Sequence, residues 1–174
     1  MRHPKVQAVF KVQETIIDSF REFMKKNMFF EFQAPSITPA VAEGGSEVFK
    51  VDYFDKKAFL TQSPQLYKQI VMTAFERVFS VNKIFRAEPS ATTRHLTEVV
   101  SLDAEMGFID SWEDVRDMAE GTVKFILEKV KEKNGDQEEE EEEVEDLASC
   151  QGKLTDLVVR LTKRLLDGKG FMDI

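Results

Sequence analysis

Cysteine and histidine are scarce in this sequence, and their scarcity removes several classes of protein from consideration. The 174 residues include 1 cysteine and 2 histidines. Because Cys150 has no second cysteine to pair with, a disulfide within the chain is excluded and a reducing compartment is favoured. His3 and His95 do not provide the spacing of a zinc site, so we expect no metal centre of that kind.

Long apolar runs are also absent. No stretch approaches the roughly 20 consecutive apolar residues of a membrane-spanning helix, and the sequence shows no secretory signal pattern. We therefore expect a cytoplasmic protein without a membrane partner. The hydrophobic content of 42%, with 15 phenylalanines, is sufficient for one buried globular core in a chain of this length.

Basic residues are fewer than acidic ones, which gives a net charge of −8. This balance argues against binding of a polyanion by the whole surface, although a local basic cleft stays possible. Much of the acid lies in one run, Glu138–Glu143, inside the low-complexity segment 134–146. Like charges in a block repel one another, so we expect this segment to form a loop.

The segment from Phe79 to Ile109 predicts a β-hairpin. Phe79–Phe85 is rich in Val, Ile and Phe and predicts its first strand. Pro89 and its polar neighbours predict a loop over Ala87–Thr97. The second strand, Thr97–Ile109, places Asp103 and Glu105 on one face. The opposite face is apolar and consists of Val100, Leu102, Ala104, Met106 and Phe108.

Charged side chains converge on this hairpin, namely Arg86, Glu88, Arg94, His95, Glu98 and Asp103. A guanidinium such as that of Arg86 can hold a phosphate through two parallel hydrogen bonds. A carboxylate such as that of Asp103 suits an ammonium group. A polyanion and an amine held side by side are what activation of an amino acid with ATP requires. From the residues alone, a surface hairpin with ion pairs is an equally good interpretation.

Two further elements precede this hairpin. Val48–Tyr53 and Ala58–Thr61 predict another hairpin, with its turn at residues 55–57. Ser63 and Pro64 then predict the start of a helix, since serine caps helices and proline suits the first helical position.

The string FRAEPSATTRHLTE, residues 85–98, resembles motif 2 of the class II aminoacyl-tRNA synthetases that handle aspartate, asparagine and lysine. The resemblance implies that Arg86 is the catalytic residue that holds the α-phosphate of ATP. It also implies ATP contacts for Glu88, Arg94 and His95. Magnesium would accompany ATP, with its ligands outside the matching segment.

The segment Pro4–Pro35 resembles motif 1 of the same family. Pro4–Lys26 has apolar residues at helical spacing, and Phe29–Ala34 predicts a strand that ends at Pro35. In the family, motif 1 forms the interface of a homodimer, and the resemblance implies that role for Pro35. Otherwise, the helix is a core helix and Pro35 is an ordinary end of a strand.

The string QSPQLYKQ, residues 62–69, resembles the signature of the aspartyl branch, of the archaeal and eukaryotic cytosolic type. The resemblance implies that Ser63, Gln65 and Lys68 bind the side chain of L-aspartate. Its ammonium group would be held by Glu43, in the loop AEGGS, and by Asp103. Without the resemblance, a solvated helix face and a plain turn would be the interpretation of these residues.

Together these features predict an α+β fold, a partial class II synthetase catalytic domain with an antiparallel mixed sheet flanked by helices. Residues 1–133 carry motifs 1 and 2, residues 134–146 the acidic loop, and residues 147–174 a C-terminal helix. The resemblance stops near Val130, and the family's motif 3 and anticodon-reading domain are not found. We expect a fragment, inactive alone, of an enzyme that uses aspartate, ATP and tRNA(Asp). The alternatives are an aspartate-activating paralogue such as an asparagine synthetase, or a non-catalytic dimerising relative.

Overall fold

The computed structural model describes residues 3–41, 48–87 and 96–134. By contact density, the chain divides into two compact units, residues 1–24 with 109–174 and residues 25–108. The described elements are, in order, α1 (Pro4–Lys26), β1 (Phe30–Glu31), β2 (Ile37–Thr38), β3 (Lys50–Tyr53), β4 (Lys56–Leu60), α2 (Gln65–Phe75), β5 (Arg77–Phe85), β6 (Glu98–Met106) and α3 (Trp112–Asn134). The predicted α+β class is confirmed.

The first unit contains most of α1 and all of α3. α1 has the bounds that its apolar periodicity predicts. The rings of Phe23 and Phe125 lie 5.5 Å apart at 45°, and Phe20 and Met24 are buried. A Cβ atom on Gly121 would come within 3.0 Å of Cζ of Phe23. The glycine therefore permits a closer approach of α3 to this ring than any other residue would.

The start of α3 is fixed by one carboxylate. Oδ2 of Asp114 accepts the N–H groups of Asp110 and Ser111, each at 3.0 Å. A carboxylate in the first turn satisfies donors that the helix itself cannot satisfy, and it interacts favourably with the positive end of the helix dipole.

The second unit is organised around β5, whose residues Val78, Phe79 and Ser80 have no exposed surface. β5 lies between β1, which is parallel to it, and β6, which is antiparallel. β1 is shorter than the predicted strand Phe29–Ala34. One further bond, from the N–H of Phe32 to the carbonyl of Phe79, follows it before Pro35. The length of such a strand depends on the strand with which it pairs, and local sequence patterns do not identify that partner.

The second strand of the long hairpin is also shorter than predicted. β6 ends at Met106. Phe108, expected on its apolar face, lies beyond the strand with a φ of 54° and is 90% exposed. The predicted apolar face is thus interrupted at its end, because the backbone leaves the extended conformation there.

The second sheet is antiparallel, in the order β2–β4–β3. Tyr53 pairs with Lys56, so the turn of the hairpin consists of Phe54 and Asp55. The prediction of a turn at residues 55–57 is therefore wrong, since Lys56 and Lys57 belong to β4. Hydrophilic side chains led to that prediction. The lysines are nevertheless compatible with β4, because β2 pairs only with Phe59 and Leu60 and leaves the start of β4 without a neighbour on that side.

α2 connects the two sheets within this unit. It begins at Gln65, one residue later than predicted, with Pro64 at its N-cap. The hydroxyl of Ser63 nevertheless accepts the N–H of Gln65 at 3.2 Å. The N–H of Phe85 donates to the carbonyl of Thr61 at 2.8 Å. This bond ties the segment before α2 to the C-terminal end of β5, which is where the candidate site begins.

The predicted acidic loop beyond Asn134 and the predicted helix over residues 147–174 lie outside the described residues. Among the residues that are described, none of the helices combines the length and apolar character that crossing a membrane requires.

Candidate functional site

One face of the β5–β6 pair carries most of the polar residues of the candidate site. Ser80 lies opposite Asp103 and Asn82 lies opposite Ser101 in the ladder. Directly opposite residues of an antiparallel pair project from the same face. The polar side chains of Ser80, Asn82, Ser101 and Asp103 therefore share one face, on which the apolar pair Ile84–Val99 follows towards the C-terminal end of β5.

Arg86 continues this face beyond the end of β5. Its N–H donates to the carbonyl of Thr97 at 2.9 Å, which extends the ladder by one pair. Arg86 therefore keeps the parity of Ser80 and Asn82, and its guanidinium is exposed. Arg86 lies six positions after Ser80, on the order of 20 Å between backbone positions. The face thus has a basic end at Arg86 and a second charged group further along.

That second group is a cluster of three charged side chains. Nζ of Lys68, on α2, lies 2.9 Å from Oδ1 of Asp103 and 3.4 Å from Oε2 of Glu105. The three side chains retain 13%, 20% and 21% of their exposure, respectively. Partial burial lowers the effective dielectric constant, so these charges interact more strongly than they would on an open surface.

The cluster has one positive and two negative groups, and this excess of negative charge determines which ligand groups it can bind. An incoming ammonium group can neutralise the excess by binding beside Asp103 or Glu105. Lys68 in turn offers N–H donors to an incoming carboxylate. A ligand that carries both an ammonium and a carboxylate group satisfies both requirements, as an amino acid does.

A pocket lies next to the start of α2. Including the space open to solvent its volume is about 230 Å³, and it is lined by Thr38, Val41, Val48, Leu60, Thr61, Gln62 and Ser63. The hydroxyl of Thr61 donates to the carbonyl of Ser63 at 3.0 Å, which fixes the backbone at the pocket wall. Ser63 therefore faces this pocket, whereas Lys68 belongs to the charged cluster.

The remaining predicted residues divide into two sets. Gln65 is half-buried on α2, one helical turn before Lys68, and Pro35 is exposed after β1. The other set lies outside the described residues and consists of Glu43, Glu88, Arg94 and His95. The structure thus brings Lys68 and Asp103 together, and it places Arg86 on the same face of the sheet as Asp103.

Three residues of this face were not predicted as site residues. Glu105 contacts Lys68, and its parity with Asp103 was the signal that could have identified it. Ser80 Oγ and Asn82 Nδ2 are buried and have no hydrogen-bond partner among the residues that the structure describes. Their parity with Arg86 was the corresponding signal on β5.

The magnesium ion that would accompany ATP has no assigned ligand in the described segments. No group of three or more His, Cys, Asp or Glu side chains with metal-binding geometry occurs in those segments. The two carboxylates that come together, Asp103 and Glu105, share the ammonium group of Lys68 instead. We therefore assign no metal ligand and derive no step through a metal ion.

The family model for tRNA synthetases class II (D, K and N) matches residues 1–174. The chain therefore belongs to this family, as its motifs predicted.

Individual relatives show which members of the family this chain is similar to. Aspartate–tRNA(Asp/Asn) ligase of Archaeoglobus fulgidus is 48% identical over 134 residues, which are 76% of this chain and 31% of the relative. Aspartate–tRNA(Asp) ligase of Pyrococcus abyssi is 45% identical over 135 residues, or 77% and 31% of the two chains. The chain thus spans about 31% of the length of these relatives.

Solved structures agree at the level of the fold. Asparaginyl-tRNA synthetase from Pyrococcus horikoshii, in complex with asparaginyl-adenylate, superimposes with a TM-score of 0.71 at 39% identity. The match covers 76% of this chain and 30% of that one. Aspartyl-tRNA synthetase from Entamoeba histolytica gives a TM-score of 0.58 at 35% identity, over 74% and 23% of the two chains.

Proposed function

We propose that this chain is part of an enzyme that activates aspartate with ATP and transfers it to tRNA. The observation that carries the proposal is the position of Lys68 between Asp103 and Glu105, on the face that ends at Arg86. The names of the aspartate–tRNA ligases among the relatives support it. The match covers less than a third of those proteins, so the activity is assigned to the full-length enzyme.

The amino acid binds at the charged cluster in this proposal. Lys68 attracts the side-chain carboxylate of aspartate. Gln65, one helical turn before Lys68, and Ser63, at the pocket next to the start of α2, are proposed to bind the same side chain. Asp103 and Glu43 hold the ammonium group. An asparagine side chain is neutral and gains less from Lys68 than a carboxylate does, so the cluster favours aspartate.

ATP binds at the other end of the face. Arg86 holds the α-phosphate, and Glu88, Arg94 and His95 contact the rest of the nucleotide. The α-carboxylate of aspartate attacks the α-phosphorus, and the bond from that phosphorus to pyrophosphate breaks. A terminal hydroxyl of tRNA then attacks the carbonyl of the aspartyl-adenylate, and AMP leaves.

Positioning and charge stabilisation account for the catalysis in this scheme. Arg86 stabilises the negative charge that develops on the α-phosphate as the new bond forms. The cluster at Lys68 holds aspartate by its side chain and its ammonium group and leaves the α-carboxylate free to attack, which converts a bimolecular encounter into a reaction between bound groups. No side chain needs to form a covalent bond.

The enzyme is a cytoplasmic homodimer in this proposal. One side of α1 exposes large apolar side chains, with Val9 and Phe10 the most exposed. Apolar side chains grouped on a helix surface are typical of a subunit interface. The resemblance to motif 1 assigns Pro35, after β1, to the subunit interface as well.

The full-length protein provides the test. With aspartate and ATP it should exchange pyrophosphate into ATP, and asparagine should not replace aspartate. Arg86→Ala should reduce this exchange by at least about 100-fold, since removal of a transition-state donor costs roughly that factor. Lys83→Ala is the matched control, because Lys83 lies on the same strand with the opposite parity and pairs with Glu98 on the surface.

Two outcomes would contradict the proposal. If the wild-type protein exchanges pyrophosphate equally well with asparagine, the specificity assigned to Lys68 is wrong. If Arg86→Ala and Lys83→Ala lose similar activity, Arg86 has no special role at the phosphate.

A further inference from the structure

Ser80, on β5, buries a hydroxyl group that has no hydrogen-bond partner. The residue has no exposed surface, and its Oγ atom is unpaired within the part of the chain that the structure describes. A buried hydroxyl without a partner costs free energy, and an alanine at the same position would avoid that cost. Groups of this kind are few in native proteins, and each requires an explanation. The stability of the free protein does not provide one for Ser80.

The register places Ser80 beside the charged cluster. Ser80 lies directly opposite Asp103 in the β5–β6 ladder, so the two side chains project from the same face. The Cβ atoms of directly opposite residues are about 4.5–5.5 Å apart, which lets a hydroxyl and a carboxylate meet when their side chains turn towards each other. In the structure, Oδ1 of Asp103 instead accepts a hydrogen bond from Nζ of Lys68, at 2.9 Å.

Burial limits what the partner of this hydroxyl can be. Because Ser80 has no exposed surface, neither a water molecule nor a ligand atom reaches its Oγ while the neighbouring side chains keep their positions. The partner is therefore a side chain of the protein that moves. Asp103 is the acceptor directly opposite, and its side chain retains 20% of its exposure, which leaves it room to turn.

Binding of the amino acid gives Asp103 a reason to change its partner. This inference rests on the proposed function, in which Lys68 binds the side-chain carboxylate of aspartate and Asp103 holds the ammonium group. A hydrogen bond from Lys68 to the ligand takes the place of the one to Asp103. The carboxylate of Asp103 then has one oxygen for the ammonium group and a second oxygen for a donor of the protein.

We propose that Ser80 is a positioning residue, whose hydroxyl donates to Asp103 when aspartate is bound. The hydroxyl is unpaired in the free protein, and in the complex it holds the carboxylate of Asp103 against the ammonium group of the ligand. The free energy gained by pairing the hydroxyl contributes to the affinity for aspartate. ATP binds at the other end of the face, so its affinity does not depend on this exchange of partners.

Ser80→Ala separates this role from a structural one. The substitution removes an unpaired hydroxyl, so the melting temperature of the free full-length protein should not fall. The KM for aspartate should rise about tenfold, because a hydrogen bond to a charged group is lost from the complex. Both kcat and the KM for ATP should stay within about threefold of wild type. Steady-state pyrophosphate exchange measures these constants.

Ser19→Ala is the matched control. Ser19 is a serine of α1 with 2% of its surface exposed, and it lies in the other compact unit. The same substitution at this equally buried position should leave the KM for aspartate within about twofold of wild type, since the two sites share no partner.

A double-mutant cycle tests whether Ser80 acts through Asp103. In an Asp103→Ala background the acceptor is absent, so the addition of Ser80→Ala should change the KM for aspartate by less than about twofold. If the two residues acted independently, Ser80→Ala would raise this KM by the same factor in both backgrounds.

Three results would overturn the inference. The first is a wild-type KM for aspartate in Ser80→Ala, and the second is an equal factor in the two backgrounds of the cycle. The third is a lower melting temperature of free Ser80→Ala, which would mean that the hydroxyl is already paired without the ligand. Failure of the proposed function would appear separately, as a wild-type protein without aspartate-dependent pyrophosphate exchange.

Discussion

Lys68 faces two carboxylates, and this imbalance determines which ligands the site accepts. Asp103 is close enough for a charge-assisted hydrogen bond, at 2.9 Å, whereas Glu105 at 3.4 Å contributes mainly through its charge. A neutral ligand would leave the excess negative charge in place. A ligand with an ammonium group and an acidic side chain interacts with both signs of charge at once.

Lys68→Met tests the role of the ammonium group, since methionine retains an apolar side chain without the charge. Hydrogen bonds to charged groups contribute roughly 1.5–3 kcal/mol. The KM for aspartate should therefore rise by about 10- to 150-fold, while the KM for ATP stays within about threefold. Steady-state pyrophosphate exchange in the full-length protein measures both constants.

Lys124→Met is the matched control for that substitution. Lys124 is an exposed lysine on α3, paired with Glu120, and its removal should change neither constant. An equal rise of both KM values in Lys68→Met would indicate a general loss of structure and would contradict the assignment to the amino acid.

The pairing of Lys68 with Asp103 could be predicted only in part. Parity along β6 predicted that Asp103 and Glu105 share a face, because a strand fixes that property locally. The contact with Lys68 joins residues 35 apart in the chain. It depends on how α2 packs on the sheet, which no local pattern contains. The resemblance named Lys68 and Asp103 as separate groups, and the structure shows that they are partners.

Elements differ in how far their own sequence determines them. α1 has the predicted bounds because its apolar residues repeat at helical spacing over six turns. The turn between β3 and β4 was misplaced because Phe54 adopts a conformation that turn rules assign to smaller residues. A helix is specified by local periodicity, whereas a short turn depends on the register of the strands that it joins.

Asp114→Ala tests how a single helix is specified, because one carboxylate caps the start of α3. Loss of a capping carboxylate costs about 1 kcal/mol. The amide of Ser111, which donates to Asp114 at 3.0 Å, should then exchange with deuterium about five times faster. Hydrogen exchange followed by mass spectrometry or NMR in the full-length protein resolves this change.

Asp117→Ala provides the comparison on the same helix. The carboxylate of Asp117 binds the neighbouring Arg116 and is 66% exposed, so its loss should change exchange at Ser111 little. Equal effects of the two substitutions would mean that the net charge of the helix, and not the capping contact, protects its first turn.

In the second unit, β5 holds the first sheet together because it pairs with a strand on each side. The antiparallel pairing with β6 was predicted, since one chain reversal connects the two strands. The parallel pairing with β1 was not predicted, because about 45 residues separate the two strands and parallel neighbours leave no local signature. The sequence therefore predicted the polar residues that β5 and β6 share on one face. It did not predict that β1 pairs with the other edge of β5.

Phe79→Ala tests the central position of β5 in the second unit. Phe79 has no exposed surface, and truncation of a buried phenylalanine costs about 3–5 kcal/mol, a large part of the stability of a typical domain. The midpoint of urea unfolding should fall accordingly. Phe108→Ala, at a position that is 90% exposed, should change the free energy of unfolding by less than about 0.5 kcal/mol. If the two substitutions had equal effects, β5 would not be the centre on which the face of Lys68 and Arg86 depends.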